Sequence, residues 1–204
     1  MRFYTDHYFH IGQNHLTAGK PCQDFALSSD NGDIAIAVVS DGCSTGRYTD
    51  IGARLFTLAT VASTKSRDSV SDRDFVKDVN MERARRIKIS QENLGLEKQD
   101  LLATCLYTHL TTKGGFVYVM GDGVVAVKFK NGNIVISRFE WANNAPFYPA
   151  YDDMDTLSYL TNIHDGFVDK AKMSLIQVEY LHPDFVCHEV KEFPFWIAKE
   201  GIII

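Results

Sequence analysis

The segment Ile34–Gly46 reads IAIAVVSDGCSTG. Its opening run, Ile34 to Val39, is apolar and rich in β-branched side chains, which is the length and composition of a buried strand. The run stops at Ser40-Asp41-Gly42, where a carboxylate meets a residue free to take positive φ. An aspartate at a strand end sits on a rigid element, and the glycine lets backbone or ligand come close. Hard divalent cations favour this chemistry, because carboxylate and carbonyl oxygens are their preferred ligands. Asp-Gly is also an ordinary turn between strand and helix. The rest of the chain has to decide between the two.

Upstream, Cys22-Gln23-Asp24-Phe25-Ala26-Leu27 starts a second extended segment, which the turn residues Ser29-Asp30-Asn31-Gly32-Asp33 end. Asn31-Gly32 between two apolar runs predicts a hairpin with Phe25–Leu27 beside Ile34–Val39. Asp24 and Asp41 then lie at the far ends of adjacent antiparallel strands, on one edge of the sheet. Two carboxylates distant in sequence are brought together. Residues 3–11 read as a first strand, and Gly12 to Pro21 as a loop.

Downstream, Thr49 or Asp50 caps a helix running through Ile51, Leu55, Phe56, Leu58, Ala59 and Ala62. After a polar connector from Ser63 to Asp72, Ser71-Asp72-Arg73-Asp74 resembles a capping box and opens a second helix to about Leu96. Phe75, Val79, Ala84 and Ile87 are its apolar positions, while Arg83, Arg85, Arg86 and Lys88 read as its solvated face. From Leu101 the pattern turns to β. Strands are predicted over Leu101–Leu110, Phe116–Met120, Val124–Phe129 and Ile134–Phe139, with Gly114-Gly115 and Lys130-Asn131-Gly132-Asn133 as turns. Trp141 to Asp155 reads as a long irregular loop and Leu157 to Asp165 is ambiguous. Strand-like pieces follow at Ser174–Tyr180 and Phe185–Val190. Two helices between two blocks of antiparallel strands make an α+β layered sandwich.

A chain of 204 residues holds one sizeable core, or at most two small ones, and is read here as one domain over residues 1–204. The net charge of −5, with no basic stripe, argues against a nucleic-acid surface. No apolar run approaches the ~20 residues needed to span a bilayer, and residues 1–6 lack the apolar core of a signal peptide. The cysteines Cys22, Cys43, Cys105 and Cys187 are widely spaced without a CxxC pair. The expectation is a reduced, cytoplasmic protein without a membrane partner.

Four short stretches line up in order. They are Gly12-Gln13-Asn14-His15 with Pro21-Cys22-Gln23-Asp24, then Val38-Val39-Ser40-Asp41-Gly42, then Leu102-Ala103-Thr104-Cys105-Leu106, then Gly121-Asp122-Gly123. In order and spacing the chain resembles the metal-dependent serine/threonine phosphatases of type 2C, in particular a bacterial branch, over about residues 8 to 140. Its most specific piece is Asp41-Gly42-Cys43-Ser44-Thr45-Gly46-Arg47-Tyr48-Thr49-Asp50-Ile51-Gly52-Ala53-Arg54. The resemblance implies a four-layer αββα sandwich of two antiparallel sheets flanked by helices, with a binuclear Mn²⁺ or Mg²⁺ site at one edge. It implies that Asp41 bridges the ions, that the Gly42 carbonyl is a ligand of one, and that Asp24 contacts metal or its waters. It implies that Asp122 helps to hold a third, weaker ion. A phosphorylated protein is the implied substrate, with Asp24 and Asp41 as the residues carrying the chemistry.

The departures from that family pattern matter as much. Its first motif usually carries an arginine that grips the phosphate in two-pronged fashion. Gly19 or Lys20 falls near that place, so Lys20 or Arg47 is expected to meet the phosphoryl group. A histidine often found after the bridging Asp-Gly, a suggested general acid, is Cys43 here. The family's last two metal aspartates, one in an Asp-Gly after a late apolar strand and one in an Asp-Asn near the C-terminus, are not read at those places here, and Phe195–Ile204 reads as the strand leading into the first. The expectation is a chain shortened at its C-terminus that binds at most one ion, weakly, with little or no phosphatase activity. The alternative is a phosphatase-like binding module that recognises a phosphorylated partner without turning it over.

Other side chains get plainer readings. Asp152, Asp153 and Asp155 read as a solvated acidic loop, and Cys43 as a small loop side chain rather than a nucleophile. His7, His10 and His15 read as partly exposed strand histidines rather than a metal cluster, as do His182 and His188. Phe147, Tyr148 and Tyr151 either line a lid or cover a sheet edge.

Overall fold

The computed structural model describes residues 2–65, 72–181, 184–187 and 190–204. Ser71 of the expected capping box, much of the connector before it, and His182 and His188 lie outside the described residues. The chain forms two compact units, Met1–Tyr118 with Ile203–Ile204 and Val119–Ile202.

The first unit opens on residues 3–11, which run beside the next strand without joining its ladder. The Phe3 amide donates to the Gly32 carbonyl at 3.0 Å, and the Thr5 amide and hydroxyl both donate to the Asp30 carboxylate. The Ser28 amide donates to His7 Nδ1 at 3.1 Å. Side chains therefore take up the groups that a ladder would use, and the expected first strand does not form. A short helix, α1 (Gln13–Thr17), stands where a loop was expected and carries His15.

The predicted hairpin is present. Strand β1 (Asp24–Asp30) pairs antiparallel with β2 (Ile34–Asp41). The Asn31 side chain closes the turn by accepting from the amides of Asp33 and Ile34. Ala35, Ile36, Val38 and Ser40 of β2 are buried. Helix α2 (Thr49–Lys65) packs against both strands. It buries Thr57, Ser63 and Thr64, whose hydroxyls donate to carbonyls four residues back at 2.8, 2.8 and 3.0 Å. Helix α3 (Asp72–Leu94) packs on α2 and buries Phe75, Val76, Val79, Arg83 and Ile87, with Phe75 against His109 and Phe116 of the sheet.

Arg83 is a correction to the sequence reading. It is buried, with Nη1 donating to Cys105 Sγ at 3.3 Å, whereas Ala84 is exposed. The i, i+4 stripe from Phe75 through Val79 places residue 83, not 84, on the sheet.

A 3₁₀ turn (Lys98–Leu101) precedes β3 (Cys105–Thr111) and β4 (Gly114–Met120). The turn between these strands is Thr112-Lys113, and the glycines expected to form it begin β4 instead. Sheet order is β1-β2-β3-β4, closed at the far edge by the late strand described below.

The second unit has β5 (Gly123–Lys128) and β6 (Ile134–Trp141) joined by the Asn131-Gly132 hairpin, as expected. The ambiguous stretch is helix α4 (Thr156–His164), capped by Asp155, which accepts from the Ser158 amide at 2.9 Å. Strands β7 (Lys172–Leu181), β8 (Asp184–Cys187) and β9 (Lys191–Pro194) complete a sheet of order β5-β6-β7-β8, with β9 also on β7. Phe147, Tyr148 and Tyr151 are buried among Tyr159 and Phe195, with Tyr159 and Phe195 stacked at 5.2 Å. They are core, not a lid.

The strand expected over 195–204 is instead a short helix, α5 (Phe195–Ala198), then β10 (Ile202–Ile203) beside β4. Pro194 is the helix N-cap and cannot donate to a ladder. Val117 and Ile204 exchange both backbone hydrogen bonds at 2.8 and 2.9 Å. The terminal isoleucines thus find a strand partner. The class is mixed α+β, built on two antiparallel sheets with helices, as expected. Among the described residues no helix is long and apolar enough to cross a membrane.

Candidate functional site

Asp24 and Asp41 are register partners across β1 and β2. The Gly42 amide donates to the Gln23 carbonyl at 3.1 Å, so the adjoining pair is a hydrogen-bonded one. Alternation then makes Asp24–Asp41 a non-hydrogen-bonded pair, the position where facing side chains come closest, with Cα atoms ~4.5 Å apart. Asp24 is half-buried and Asp41 exposed. The Asp41 backbone is fixed from the other side by Thr104, whose hydroxyl accepts from the Asp41 amide and whose amide donates to the Asp41 carbonyl, each at 2.9 Å. The carboxylate pair therefore stands on a rigid strand end.

Three glycines explain the motif that follows. A Cβ on Gly42 would sit 2.7 Å from the Thr49 carbonyl oxygen and 2.9 Å from that of Gln23. One on Gly46 would meet the Thr49 methyl and the Gln99 carbonyl, and one on Gly52 the Asp100 carbonyl at 2.6 Å. Only glycine lets the strand end, the loop and the first turn of α2 pack this closely. The Gln23 amide donates to Thr49 Oγ1 at 2.8 Å, and that hydroxyl donates to the Cys43 carbonyl at 2.9 Å. Gln23 and Gly42 thus face α2. By strand alternation, Asp24 and Asp41 face the opposite side.

Arg47 places both prongs of its guanidinium on Asp100, Nε to Oδ1 at 2.9 Å and Nη2 to Oδ2 at 2.8 Å, with Glu97 3.8 Å from Nη1. Asp100 is fully buried and also accepts from the Glu97 amide. Lys20 is exposed, and its backbone amide donates to the His15 carbonyl. The Arg47 hydrogen bonds hold the Asp100 carboxyl below its ordinary range; burial opposes this, and the Glu97 amide adds to the lowering. A depressed carboxyl pKa contributes stability above the unfolded value near pH 4 and loses it as pH falls through the folded value. Asp100→Asn should therefore be less stable than the wild type at pH 7, by about 2 kcal/mol. Its stability should also fall less steeply than wild type below pH 4. Thermal melts from pH 7 to 3 measure both, and parallel curves would contradict the clamp.

Asp122 belongs to the second unit. Gly121 before it has φ +102°, and the Trp141 indole donates to the Gly121 carbonyl at 3.1 Å. The Asp122 side chain lines an open pocket of about 390 Å³ together with Arg138, Glu140, Trp141 and Asn144. Burial pushes its carboxyl up, and Glu140 adds to the rise.

The donors at the hairpin edge fit one hard cation. The edge offers two register-paired carboxylates, and the neighbouring Gly42 carbonyl accepts no hydrogen bond among the described residues. Mg²⁺-like ions are commonly held by one or two carboxylates with water completing the shell. Among the described residues no group of three or more His, Cys, Asp or Glu side chains could hold a metal ion by itself.

Sequence reasoning missed Asp100 as the partner of Arg47 and Thr104 as the anchor of Asp41. The Glu97-to-Asp100 spacing of a capping box was the available signal for the first. For the second, Thr104 lay in the Leu102–Leu106 stretch already singled out, but no spacing tied it to Asp41. The family model described as Protein phosphatase 2C matches residues 11–153. No curated protein and no solved structure matches the chain.

Proposed function

The chain belongs to the protein phosphatase 2C family, and from that premise we propose that it acts on phosphoserine and phosphothreonine esters of proteins with the help of one Mn²⁺ or Mg²⁺ ion. Asp24, Asp41 and the Gly42 carbonyl would hold the ion; Asp122 is proposed as a ligand of a separate ion, held too weakly to add a second site to a titration. The observation that supports this most is the direct cross-strand register of Asp24 and Asp41. A bound divalent cation supplies positive charge against the phosphoryl oxygens and makes its own water a better nucleophile.

The chain's own residues do the positioning. Asp24 and Asp41 aim oxygens from a strand end that Thr104 holds still. Lys20, exposed on the loop after α1, is the proposed contact for the phosphoryl group. Arg47 is proposed to add its charge from the Asp100 clamp, since both prongs are already engaged there. With so few convergent donors, turnover by these residues should be weak. Recognition of a phosphorylated partner without turnover is the second reading, favoured by the same sparse donor set.

Calorimetric titration with Mn²⁺ should show one weak site per chain, and a phosphopeptide assay should show slow, Mn²⁺-dependent phosphate release. Binding without any release supports the second reading. Two tight ions, or robust turnover, would overturn the one-ion proposal, and no binding at all would remove the site.

A further inference from the structure

Carried two residues past the end of the ladder at Asp24 and Asp41, the register would meet two cysteines. Gln23 and Gly42 continue the pairing beyond the last strand residues, through the 3.1 Å bond from the Gly42 amide to the Gln23 carbonyl. One step further stand Cys22 and Cys43. Gln23 and Gly42 face α2, where the Gln23 amide donates to Thr49 Oγ1 and a Gly42 Cβ would meet the Thr49 carbonyl. Alternation turns Cys22 and Cys43 to the opposite side, together with the carboxylates. The same alternation would make them a non-hydrogen-bonded pair, with Cα atoms ~4.5 Å apart, inside the range that a disulfide spans.

Both thiols are reduced and half-buried, within reach of a small oxidant, whereas Cys105 is buried. Cys22 Sγ lies 3.5 Å from the Asp24 carbonyl and Cys43 Sγ 3.1 Å from Thr45 Oγ1. Rotation about each Cα–Cβ bond turns these sulfurs from their loop contacts toward each other.

We propose that Cys22 and Cys43 are a peroxide-oxidisable pair that closes a disulfide across the carboxylate-bearing end of the hairpin. One thiol attacks a peroxide oxygen, breaking the O–O bond to give a sulfenic acid and water. The second thiol attacks that sulfur, forming the S–S bond and releasing a second water. Two thiols and one hydrogen peroxide thus yield one disulfide and two waters. The bridge lies ~7 Å along the strands from the carboxylates, on the face from which a ligand reaches them. Reduced access of a cation to Asp24 and Asp41 is the consequence, and that part rests on the function proposed above.

The test is hydrogen peroxide treatment of the native chain, alkylation, and peptide mapping without reductant. A Cys22–Cys43 linked peptide, reversed by dithiothreitol and absent from both Cys22→Ser and Cys43→Ser, is the expected result. Retention of both thiols, or linkage through Cys105 or Cys187 instead, would overturn the pair. Titration with Mn²⁺ is read separately, with affinity expected to fall at least ~10-fold on oxidation. A disulfide that forms in a chain with no Mn²⁺ affinity in either state keeps the redox pair and discards the cation site.

Discussion

Asp41→Asn should weaken Mn²⁺ binding by roughly a hundredfold or more, and should bring phosphoester release to background, without unfolding the chain. Asparagine keeps the volume and leaves the backbone bonds to Thr104 in place, because those use the main chain of residue 41. What it removes is one of two like charges set directly opposite each other. Facing like charges on adjacent strands are destabilising by roughly 0.2–1 kcal/mol, so the metal-free variant should melt slightly higher than the wild type. The two effects therefore run in opposite directions: affinity falls while stability rises. A residue that merely closes a turn would lose stability and leave affinity alone. Calorimetry with Mn²⁺ beside thermal melts in chelator separates these outcomes. Asp24→Asn should move both quantities the same way. Unchanged Mn²⁺ affinity in Asp41→Asn would remove the hairpin edge as the cation site.

The hairpin was legible because everything that makes it is local. Asn31-Gly32 sets the turn, and the apolar runs on either side set the faces. Register then follows for every residue up to Asp24 and Asp41. What the sequence hid depends on long-range partners or on a residue used against its type. Thr104 reaches Asp41 from 63 residues away and Asp100 reaches Arg47 from 53, and no spacing rule links either pair. Arg83 looks like a surface cation, yet it lies on the buried stripe of α3 against Cys105. Residues 3–11 have the composition of a strand, but Asp30 and His7 side chains intercept the amides and no ladder forms. Asp122 was visible as a motif, whereas the pocket around it is built by β5, β6 and Asn144, three residues past β6, and needed the fold to be seen.

Gly52→Ala should destabilise the first unit by roughly 2–4 kcal/mol, although alanine is the better helix former. Propensity alone favours the substitution by ~1 kcal/mol, since Gly52 lies inside α2. Packing opposes it. The new Cβ would sit 2.6 Å from the Asp100 carbonyl oxygen and 2.9 Å from the Leu101 Cα, both backbone atoms that cannot rotate away. Relief requires the 3₁₀ turn to shift, and that turn carries the carboxylate that fixes Arg47 in the loop after Asp41-Gly42. The clash is larger than the propensity gain, so the sign is a loss. Gly12→Ala is the matched comparison, because nothing lies within 4 Å of a Cβ there, and its melt should stay close to wild type. Denaturant or thermal unfolding of the two variants decides the matter. A Gly52→Ala chain that melts at or above wild type would show that the 3₁₀ turn yields easily, and that Arg47 and Asp100 do not hold the loop against α2.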